Sequence, residues 1–518
     1  MITILAEKPS VAREIARIAG ATRKEEGFYT GNGYHVTWAL GHLVQPALPE
    51  GYGFKGFSRD SLPVIPEEFM LIPRQVKTDK DYKADAAAVK QIKVITKLWN
   101  ESDGIIVATD CAREGELIFR YLYAYTGCTL PFRRLWISSL TDTAIRKGLK
   151  ELKDGHEYDD QYLAAKARSE ADWLVGINGT QALTVAAGRG TYSVGRVQTP
   201  TLAMICSRYR ENRQFVSRKY YRIKISAEKD GITFSALSGN RFDDLAAASA
   251  KLREVNGGGT LSVTSAERRE VAQEPPLLYD LTALQKEANT KLNFSADKTL
   301  TLAQSLYEKK VLSYPRTGSR YISEDVFDEI PSRIALLRQY PCFTTAASVL
   351  RDDSLNRRSV DDAKVTDHHA LLVTENLPDG LSQDEQAIYE MVAARLLEAF
   401  SPRCIKDVTE IALSAGGEPF SLKGTVIKSP GWRAVRNEPE EDGEETVLPD
   451  LQAGDTLPLL AAETVEKQTK PKPLHTESSL LSAMEHCGRE LRDDELRDSL
   501  KGNGIGTPAT RAAIIETL

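Results

Sequence analysis

The sequence predicts a multidomain protein in which an α/β domain comes first and nested helical and β-rich domains make up the rest. The chain has 518 residues, which is too long for a single hydrophobic core. Near the N-terminus, short strand-like runs that end in acidic residues are followed by helical patterns. Farther along, helical and strand-like segments each occur twice and enclose a further helical region at 271–402.

Residues 1–153 carry the α/β pattern. "ITILA" is a short strand of the buried type, Ser10 is a candidate N-cap for the helix "VAREIARIAG", and Gly20 is its expected end. "GIIVATD" repeats the pattern, because a β-branched strand ends in an acid before the helix "GELIFRYLYAYTG". Strands of this kind place functional groups at the carboxyl edge of a doubly wound sheet. We therefore expect a site at this edge.

The remaining segments follow in a nested order. Residues 155–210 are helical in pattern, 213–270 contain alternating strands such as "YYRIKISAE", and helical patterns return through "DEQAIYEMVAARLLEAF". Strands such as "FSLKGTVIKS" come next, and the end of the chain is helical. One domain is thus inserted into a second, which is inserted into a third. The predicted domains are an α/β domain at 1–153, a helical domain at 154–212 and 470–518, a β-rich domain at 213–270 and 403–469, and a helical domain at 271–402.

Composition argues against several classes of protein. No apolar run reaches the length of about 18 residues that a membrane span needs, and "MITILAEKPS" lacks the features of a signal peptide. The 6 cysteines include no CxxC pair, which argues against a zinc ribbon or a disulfide framework and for a reducing cytoplasm. The net charge of −6 does not suggest a nucleic-acid binder, although the segment "SRYRENRQFVSRKYYRIKI" is strongly basic. That segment is also compatible with a solvated helix that leads into an edge strand.

The stretch "ATDCAREGE", residues 108–116, contains acids at alternating positions with a gap at Ala112. Alternate residues of an extended strand share a face, so Asp110 and Glu114 would point together, and Glu7 would join them across the sheet. Clustered carboxylates are typical ligands of Mg²⁺. The alanine leaves fewer of them, which favours one metal ion over two. A surface cluster of acids stabilised by a helix dipole is the alternative interpretation.

The loop "LSYPRTGSRY", residues 312–321, offers a candidate nucleophile. A tyrosine hydroxyl, with a pKa of about 10, is a poor nucleophile unless its phenolate is stabilised. Arg316 could stabilise the phenolate of Tyr314 and clamp a phosphate, and attack on a phosphodiester would then form a phosphotyrosine. A loop tyrosine packed against Pro315 is the alternative interpretation of this motif alone.

Three further segments combine residue types that bind phosphates. "YSVGRVQTPTL" places Ser193, Arg196 and Gln198 at a helix start, and the glycine-rich turn "GNGIGTPATR" leads into a helix with Thr507 and Arg511. "TDHHAL" contains adjacent histidines, for which a phosphate contact or a packed ring fits better than metal ligation. The sequence has no GxxxxGK[ST] motif, so no P-loop for ATP is expected.

Together, and in this order, these motifs resemble those of the type IA DNA topoisomerases, most closely the bacterial topoisomerase III branch. That family has AEKPS near its N-terminus, followed by TDxDREGE, GRVQTPTL, YPRT, HHA and GIGTPATR. The corresponding segments of this chain are 7–10, 109–116, 195–202, 314–317, 368–370 and 504–511. The resemblance covers essentially the whole chain, and its motif order is highly specific.

The resemblance implies a fold and a reaction. The N-terminal α/β domain would be a Toprim domain, and the nested domains would form the type IA toroid around a hole wide enough for DNA. Tyr314, on the inserted helical domain, would cleave one DNA strand and form a transient 5′-phosphotyrosine, and another strand would pass through the break before religation. Because the phosphotyrosine conserves the energy of the broken bond, decatenation and relaxation of negative supercoils would need no ATP.

The resemblance also implies roles for single residues. Tyr314 would be the nucleophile, Arg316 would stabilise the pentavalent phosphate, and Lys8 would hold the scissile phosphate or the leaving oxygen. Glu7 would act as general acid and base, and His368 would contact the phosphate network. The implied metal ligands are Glu7, Asp110 and Glu114, with Glu116 a weaker candidate, and the implied DNA-binding residues are Ser193, Arg196, Gln198, Thr507 and Arg511.

The chain departs from the family pattern at several places. Ala112 stands where the family has its middle acid, "TGS" at 317–319 replaces TDS, and "LLVT" at 371–374 replaces IIPT. Only the first departure touches the chemistry directly, and it implies a single Mg²⁺ or a changed preference, such as Mn²⁺. The sequence also ends just after a family motif, so we expect the family's usual C-terminal extension to be missing.

The expected partners are single-stranded DNA and negatively supercoiled or catenated DNA, with a helicase and a single-strand-binding protein as further candidates. We expect a monomer in the bacterial cytoplasm without membrane contact. Two alternatives remain. Another Toprim enzyme, such as a primase or nuclease, would share the acids but not the tyrosine loop. A DNA clamp that has lost its activity at Ala112 would not need to retain Glu7, Asp110, Tyr314 and Arg316.

Overall fold

The structure is a computed structural model that describes residues 1–78, 82–138, 140–365, 368–436, 448–488 and 504–518. The first two residues of the "TDHHAL" segment, Thr366 and Asp367, lie outside the described residues. Within the described ranges, no helix combines the length and the apolar character that a membrane span requires.

The N-terminal region is an α/β unit built around a mixed sheet. Its strands are β1 (Ile2–Ala6), β2 (Arg23–Glu25), β3 (Phe28–Gly31), β4 (Tyr34–Trp38), β5 (Val44–Pro46), β6 (Leu71–Pro73), β7 (Gln75–Lys77), β8 (Tyr82–Ala84), β9 (Gly104–Ala108), β10 (Phe132–Arg134) and β11 (Lys153–Asp154). Its helices are α1 (Pro9–Ala19), α2 (Ala86–Asn100), α3 (Arg113–Tyr125) and α4 (Asp142–Lys150). The sheet order is β11-β10-β9-β1-β4-β3-β2, with β1 parallel to β4 and to β9. Residues that follow β1 and β9 therefore emerge at the same edge.

Helix α1 begins earlier than the sequence analysis predicts. Lys8 is the N-cap and Pro9 occupies the first turn, so Ser10 lies inside the helix and the predicted cap is wrong. Proline is favoured at this position because the N–H that it lacks would have no partner within the helix. The helix ends as predicted at Gly20, which has a left-handed φ of 81°. This start places Glu7 and Lys8 at the carboxyl end of β1.

Two helices and an antiparallel sheet follow. The helices are α5 (Asp159–Ala187) and α6 (Gln198–Arg213), and α7 (Leu245–Gly258) lies within the sheet segment. The strands are β12 (Lys219–Lys229), β13 (Ile232–Ser238), β14 (Thr260–Gln273), β15 (Cys404–Ala415), β16 (Glu418–Ser429), β17 (Thr456–Pro458) and β18 (Ala461–Gln468). Their order in the sheet is β17-β14-β15-β16-β13-β12-β18.

Helices fill the interval between β14 and β15 and the end of the chain. The interval contains α8 (Leu281–Leu292), α9 (Ala296–Glu308), α10 (Glu324–Phe327), α11 (Ile330–Leu337), α12 (Thr344–Ser348) and α13 (Gln383–Phe400), and α14 (Glu477–Glu485) and α15 (Pro508–Thr517) come last. Because Gln273 pairs with Cys404, the chain leaves and re-enters the sheet at neighbouring points. We call residues 274–403 the inserted segment. The limits of the four predicted domains stay a prediction.

The inserted segment has its own hydrophobic core, which includes Leu306, Ile388 and Phe400. Tyr307 and Tyr314 are exceptions, because they pack with residues of the N-terminal core such as Ala6 and Ala12. The loop that carries Tyr314 therefore lies against the edge of the sheet where β1 and β9 end.

Candidate active site

Tyr314 lies in the contact between the inserted segment and the N-terminal region. Its backbone N–H donates to the carbonyl of Ser138 at 2.9 Å. Its ring is 4% exposed and packs against Tyr307 and His368, with ring centroids 5.4 and 4.8 Å away. The hydroxyl donates to Oδ2 of Asp110 at 3.1 Å. The predicted nucleophile and the first acid of the 108–116 stretch are thus in direct contact.

The surroundings of Tyr314 keep its hydroxyl protonated. Burial raises the pKa of Tyr314 well above its usual range, and the charge of Asp110 raises it further, whereas Arg316 acts in the opposite direction. Nucleophilic attack therefore needs a proton acceptor within hydrogen-bond reach. Asp110 is in that position, and burial raises its own pKa, which makes it a stronger base than an exposed aspartate.

Glu7 and Asp110 form a close pair of carboxylates. They follow the neighbouring parallel strands β1 and β9, and the backbone N–H of Asp110 donates to Oε2 of Glu7 at 3.2 Å. Burial, and then the charge of Asp110, raises the pKa of Glu7 to about 7. Two such carboxylates suit Mg²⁺, which takes one or two of them together with waters and substrate phosphate oxygens. The residues therefore fit a divalent cation, which would also relieve their mutual repulsion.

Glu114 lies apart from this pair. Strand β9 ends before Asp110 and helix α3 begins before Glu114, so the predicted extended face does not form. Oε1 of Glu114 is instead 2.7 Å from Nε2 of His42, and this bond is the main reason why the pKa of Glu114 is lowered. Among the described residues, no three His, Cys, Asp or Glu side chains are grouped closely enough to hold a metal ion. The predicted three-carboxylate cluster is thus absent here, and its third member contacts a histidine that the sequence analysis missed.

Glu116 forms buried ion pairs. It is 1% exposed, its Oε1 accepts a hydrogen bond from Arg120 at 2.8 Å, and its Oε2 is 3.2 Å from Nε of Arg134. Arg134, which the sequence analysis also missed, donates to the carbonyls of Thr109 and Asp110 at 2.8 and 2.9 Å. Arg134 therefore holds the backbone at Asp110 in place, and Glu116 balances the charge of Arg134. The sequence feature that could have predicted this role is an arginine within the strand sequence "FRRLW".

Arg316 and Lys8 supply positive charge beside the acids. Nε of Arg316 is buried and has no hydrogen-bond partner among the residues that the structure describes. Arg316 and Lys8 both lower the pKa of Glu7, which places their charges close to it. Nζ of Lys8 is 3.4 Å from Oε1 of Glu308, a partner that was not predicted. A buried N–H without a partner is unfavourable, so Arg316 is suited to bind an oxygen of a phosphate.

His368 packs against the nucleophile. Its ring contacts those of Tyr314 and Trp136, with centroids 4.8 and 6.2 Å away. Burial, and then the neighbouring His369, lowers the pKa of His368 to about 3, so the ring is neutral at physiological pH. In the described part of the chain, neither ring nitrogen forms a hydrogen bond of normal geometry. A neutral ring can still donate one hydrogen bond to a phosphate oxygen.

Three of the predicted DNA-binding residues lie around the start of α6. Gln198 begins this helix, and Ser193 and Arg196 are exposed in the loop before it. Arg196 forms an ion pair with Asp172 of α5 at 3.0 Å. Exposed ion pairs contribute little stability, so a DNA phosphate can compete for Arg196.

The other two predicted residues organise the last described turn. Arg511 is 3% exposed and donates to the carbonyl of Ile505 at 3.0 Å and to Thr282 of α8 at 3.3 Å. Thr507 and Thr510 form a capping box at the start of α15. Arg511 therefore stabilises the turn and its contact with the inserted segment, and its guanidinium does not face solvent.

Comparison with known proteins shows which family this chain belongs to. A family model described as DNA topoisomerase matches residues 156–518. The chain belongs to the DNA topoisomerase family. A second model, described as the Toprim domain, matches residues 3–140, which include Glu7 and Asp110. The predicted Toprim domain and the predicted enzyme class are thus confirmed, and a divalent metal such as Mg²⁺ is the cofactor that these families imply.

Similar proteins cover nearly the whole topoisomerase chain. It is 39% identical to the DNA topoisomerase 3 of Shouchella clausii, over 99% of this chain and 71% of that protein. The DNA topoisomerase 3 of Bacillus subtilis is 38% identical, over 99% of this chain and 72% of its own. The full-length topoisomerase I of Thermotoga maritima is 24% identical, with a TM-score of 0.72 over 100% of this chain and 78% of that chain. This last likeness confirms the predicted type IA topoisomerase fold.

Proposed function

We propose that the protein is a type IA DNA topoisomerase of the topoisomerase III kind. It cleaves one strand through Tyr314, passes another strand through the gap and religates, which relaxes negative supercoils and decatenates DNA without ATP. The observation that carries this proposal is the hydrogen bond from the buried Tyr314 hydroxyl to Asp110. The unpartnered Nε of Arg316 beside it supplies a phosphate-binding group.

The positions of the acids support a route for the protons. As Tyr314 Oη attacks the phosphorus, its proton moves to Asp110, which already accepts its hydrogen bond. Glu7, whose pKa is raised to about 7 while no metal ion is bound, would donate a proton to the leaving 3′-oxygen and take it back during religation. Arg316, Lys8 and His368 contact the phosphate oxygens, so the charge of the pentavalent phosphate is stabilised by groups already in place.

Glu7 and Asp110 would hold Mg²⁺, and Glu114 would join them only after it leaves His42. When bound, the metal ion supplies positive charge next to the phosphate oxygens. Because Ala112 removes one carboxylate, we propose a single ion, with Mn²⁺ as an alternative. The single strand would run past Ser193, Arg196 and Gln198, where exposed polar groups precede α6.

We further propose that the enzyme is a monomer in the bacterial cytoplasm. Its substrates would be single-stranded regions of negatively supercoiled or catenated DNA. A helicase and a single-strand-binding protein are the proposed partners, because both produce or stabilise single strands.

Covalent trapping tests the assignment of the nucleophile. The protein is mixed with single-stranded DNA labelled at either its 5′ or its 3′ end and is then quenched with denaturant. The 3′ label should remain on the protein, and Tyr314→Phe should abolish the adduct. Tyr307→Phe is the matched control, because this tyrosine is also buried and lies 5.4 Å from Tyr314. An adduct that persists in Tyr314→Phe, or that carries the 5′ label, would contradict the proposal.

A further inference from the structure

Lys310, which follows the C-cap residue of α9, has an unusual backbone conformation. Its φ is 65°, in the left-handed region that residues with a Cβ rarely adopt. The carbonyl of Lys310 accepts hydrogen bonds from Thr374 and Asn376, which hold this conformation. Glycine would adopt it without strain, so a lysine here indicates a use for the side chain.

The side chain of Lys310 crosses to the N-terminal region. Its Nζ lies 2.6 Å from Oε2 of Glu14 on α1 and 3.3 Å from Oδ1 of Asp142 at the start of α4. The side chains of Lys310 and Glu14 are 21% and 18% exposed, so solvent screens this pair only in part. Arg17 also pairs with both acids, which leaves them compensated when Lys310 is replaced.

Lys310 and Tyr314 lie on the same loop of the inserted segment, and both contact the N-terminal region. The Tyr314 N–H donates across this contact to Ser138, whereas the Ser313 N–H donates to Leu372 within the inserted segment. The ion pairs of Lys310 and the hydrogen bond of Tyr314 must therefore break together when the inserted segment moves away.

We propose that Lys310 is a positioning residue that docks the Tyr314 loop onto the N-terminal region through Glu14 and Asp142. Docking places Tyr314 against Asp110 for cleavage and religation, and release of Lys310 accompanies opening for strand passage. This inference rests on the proposed function for its role in catalysis, but the docking itself can be measured without DNA.

The adjacent Lys309 provides a matched control. Its Nζ lies 2.7 and 2.8 Å from the two carboxylate oxygens of Glu385, and both residues belong to the inserted segment. Lys309→Gln therefore removes one lysine charge and the ion pair with Glu385 at the adjacent position, and it leaves the contact with the N-terminal region unchanged.

Hydrogen exchange of the Tyr314 amide in the DNA-free protein measures docking, and the Ser313 amide is the internal reference. We expect roughly fivefold faster exchange in Lys310→Gln, because this variant loses the partly exposed ion pairs with Glu14 and Asp142. Lys310→Gly should show the same effect without backbone strain, Lys310→Arg should restore protection, and Lys309→Gln should match the wild type. Added salt should speed exchange in the wild type more than in Lys310→Gln. Equal Tyr314 exchange in the wild type, Lys310→Gln and Lys310→Gly would overturn the proposal.

Religation of a preformed covalent adduct then tests the consequence for catalysis. We expect the Gln and Gly variants of Lys310 to religate roughly fivefold more slowly than the wild type and Lys309→Gln. Weaker docking with unchanged religation would overturn the positioning role. If the wild type forms no adduct, the proposed function fails, whereas the exchange data still decide whether Lys310 docks the loop.

Discussion

Ala112→Asp should lower the Mg²⁺ concentration that gives half-maximal relaxation of supercoiled DNA. Ala112 is the N-cap of α3, with φ of −151° and ψ of 165°, and its side chain makes no cap hydrogen bond. Its backbone N–H donates to the carbonyl of Asp110 at 2.8 Å, which forms a tight turn. Because Ala112 is only two residues from Asp110, we expect an added carboxylate to lie near the Glu7 and Asp110 pair.

The substitution has two effects of known size. An aspartate at an N-cap stabilises a helix by about 1 kcal/mol relative to alanine. Its charge attracts a divalent cation at about 4 Å by about 2 kcal/mol, even at the dielectric constant of bulk water. Screening by dissolved salt removes part of this attraction. A remainder of about 1.4 kcal/mol corresponds to a roughly tenfold lower half-maximal Mg²⁺ concentration.

Ala112→Asn separates the two effects, because asparagine caps the helix without adding charge. Relaxation of a negatively supercoiled plasmid is measured against Mg²⁺ concentration at constant ionic strength, and thermal unfolding is measured in a chelator. The asparagine variant should melt at or above the wild-type temperature, and only the aspartate variant should shift the Mg²⁺ curve. The reasoning is refuted if the aspartate curve equals that of the wild type, or if asparagine shifts the curve equally.

Three further predictions follow from single contacts. Arg316→Lys loses the planar guanidinium with its buried Nε, so it should reduce the yield of covalent adduct at least about tenfold. An unchanged yield would contradict the proposal that Arg316 binds the phosphate. In Gly115→Ala the new Cβ would lie 2.0 Å from the carbonyl oxygen of Asp110. Asp110 must then move, so the rate of DNA relaxation should fall roughly a hundredfold, while the circular dichroism spectrum should remain that of a folded protein. A fully active variant would show that the position of Asp110 is not critical. Hydrogen bonds from Lys309, and then from Ser305 and the backbone of Ser382, lower the pKa of Glu385 from 4.5 to about 2. A carboxyl with a lowered folded-state pKa stabilises the protein above its unfolded pKa and loses this effect as pH falls toward the folded value. Glu385→Gln should therefore lower the free energy of unfolding, measured by urea denaturation at pH 7, by about 2 kcal/mol. The difference in this free energy between the wild type and the variant should become smaller below pH about 4.5. A difference that does not change with pH would exclude this explanation.

The sequence by itself determined which residue types form the candidate site and which elements carry them. Tyr314 and Arg316 belong to one short loop, and Glu7 and Asp110 follow β-branched runs that pair as parallel strands. Such information is local, because strand periodicity, helix ends and motif spacing depend on neighbouring residues. The end of α1 at Gly20 was predictable for the same reason.

The tertiary structure decided which groups each of these residues contacts. Glu114 contacts His42 instead of the predicted cluster, and Arg511 is buried and donates to Thr282. The Tyr314 loop contacts the N-terminal region through Ser138. These partners lie 72, 229 and more than a hundred residues away along the chain, respectively. The position and pKa of a side chain in such a contact depend on the burial, the charges and the hydrogen-bonding groups around it. Packing brings these groups together from distant parts of the chain, so a local sequence pattern does not predict them.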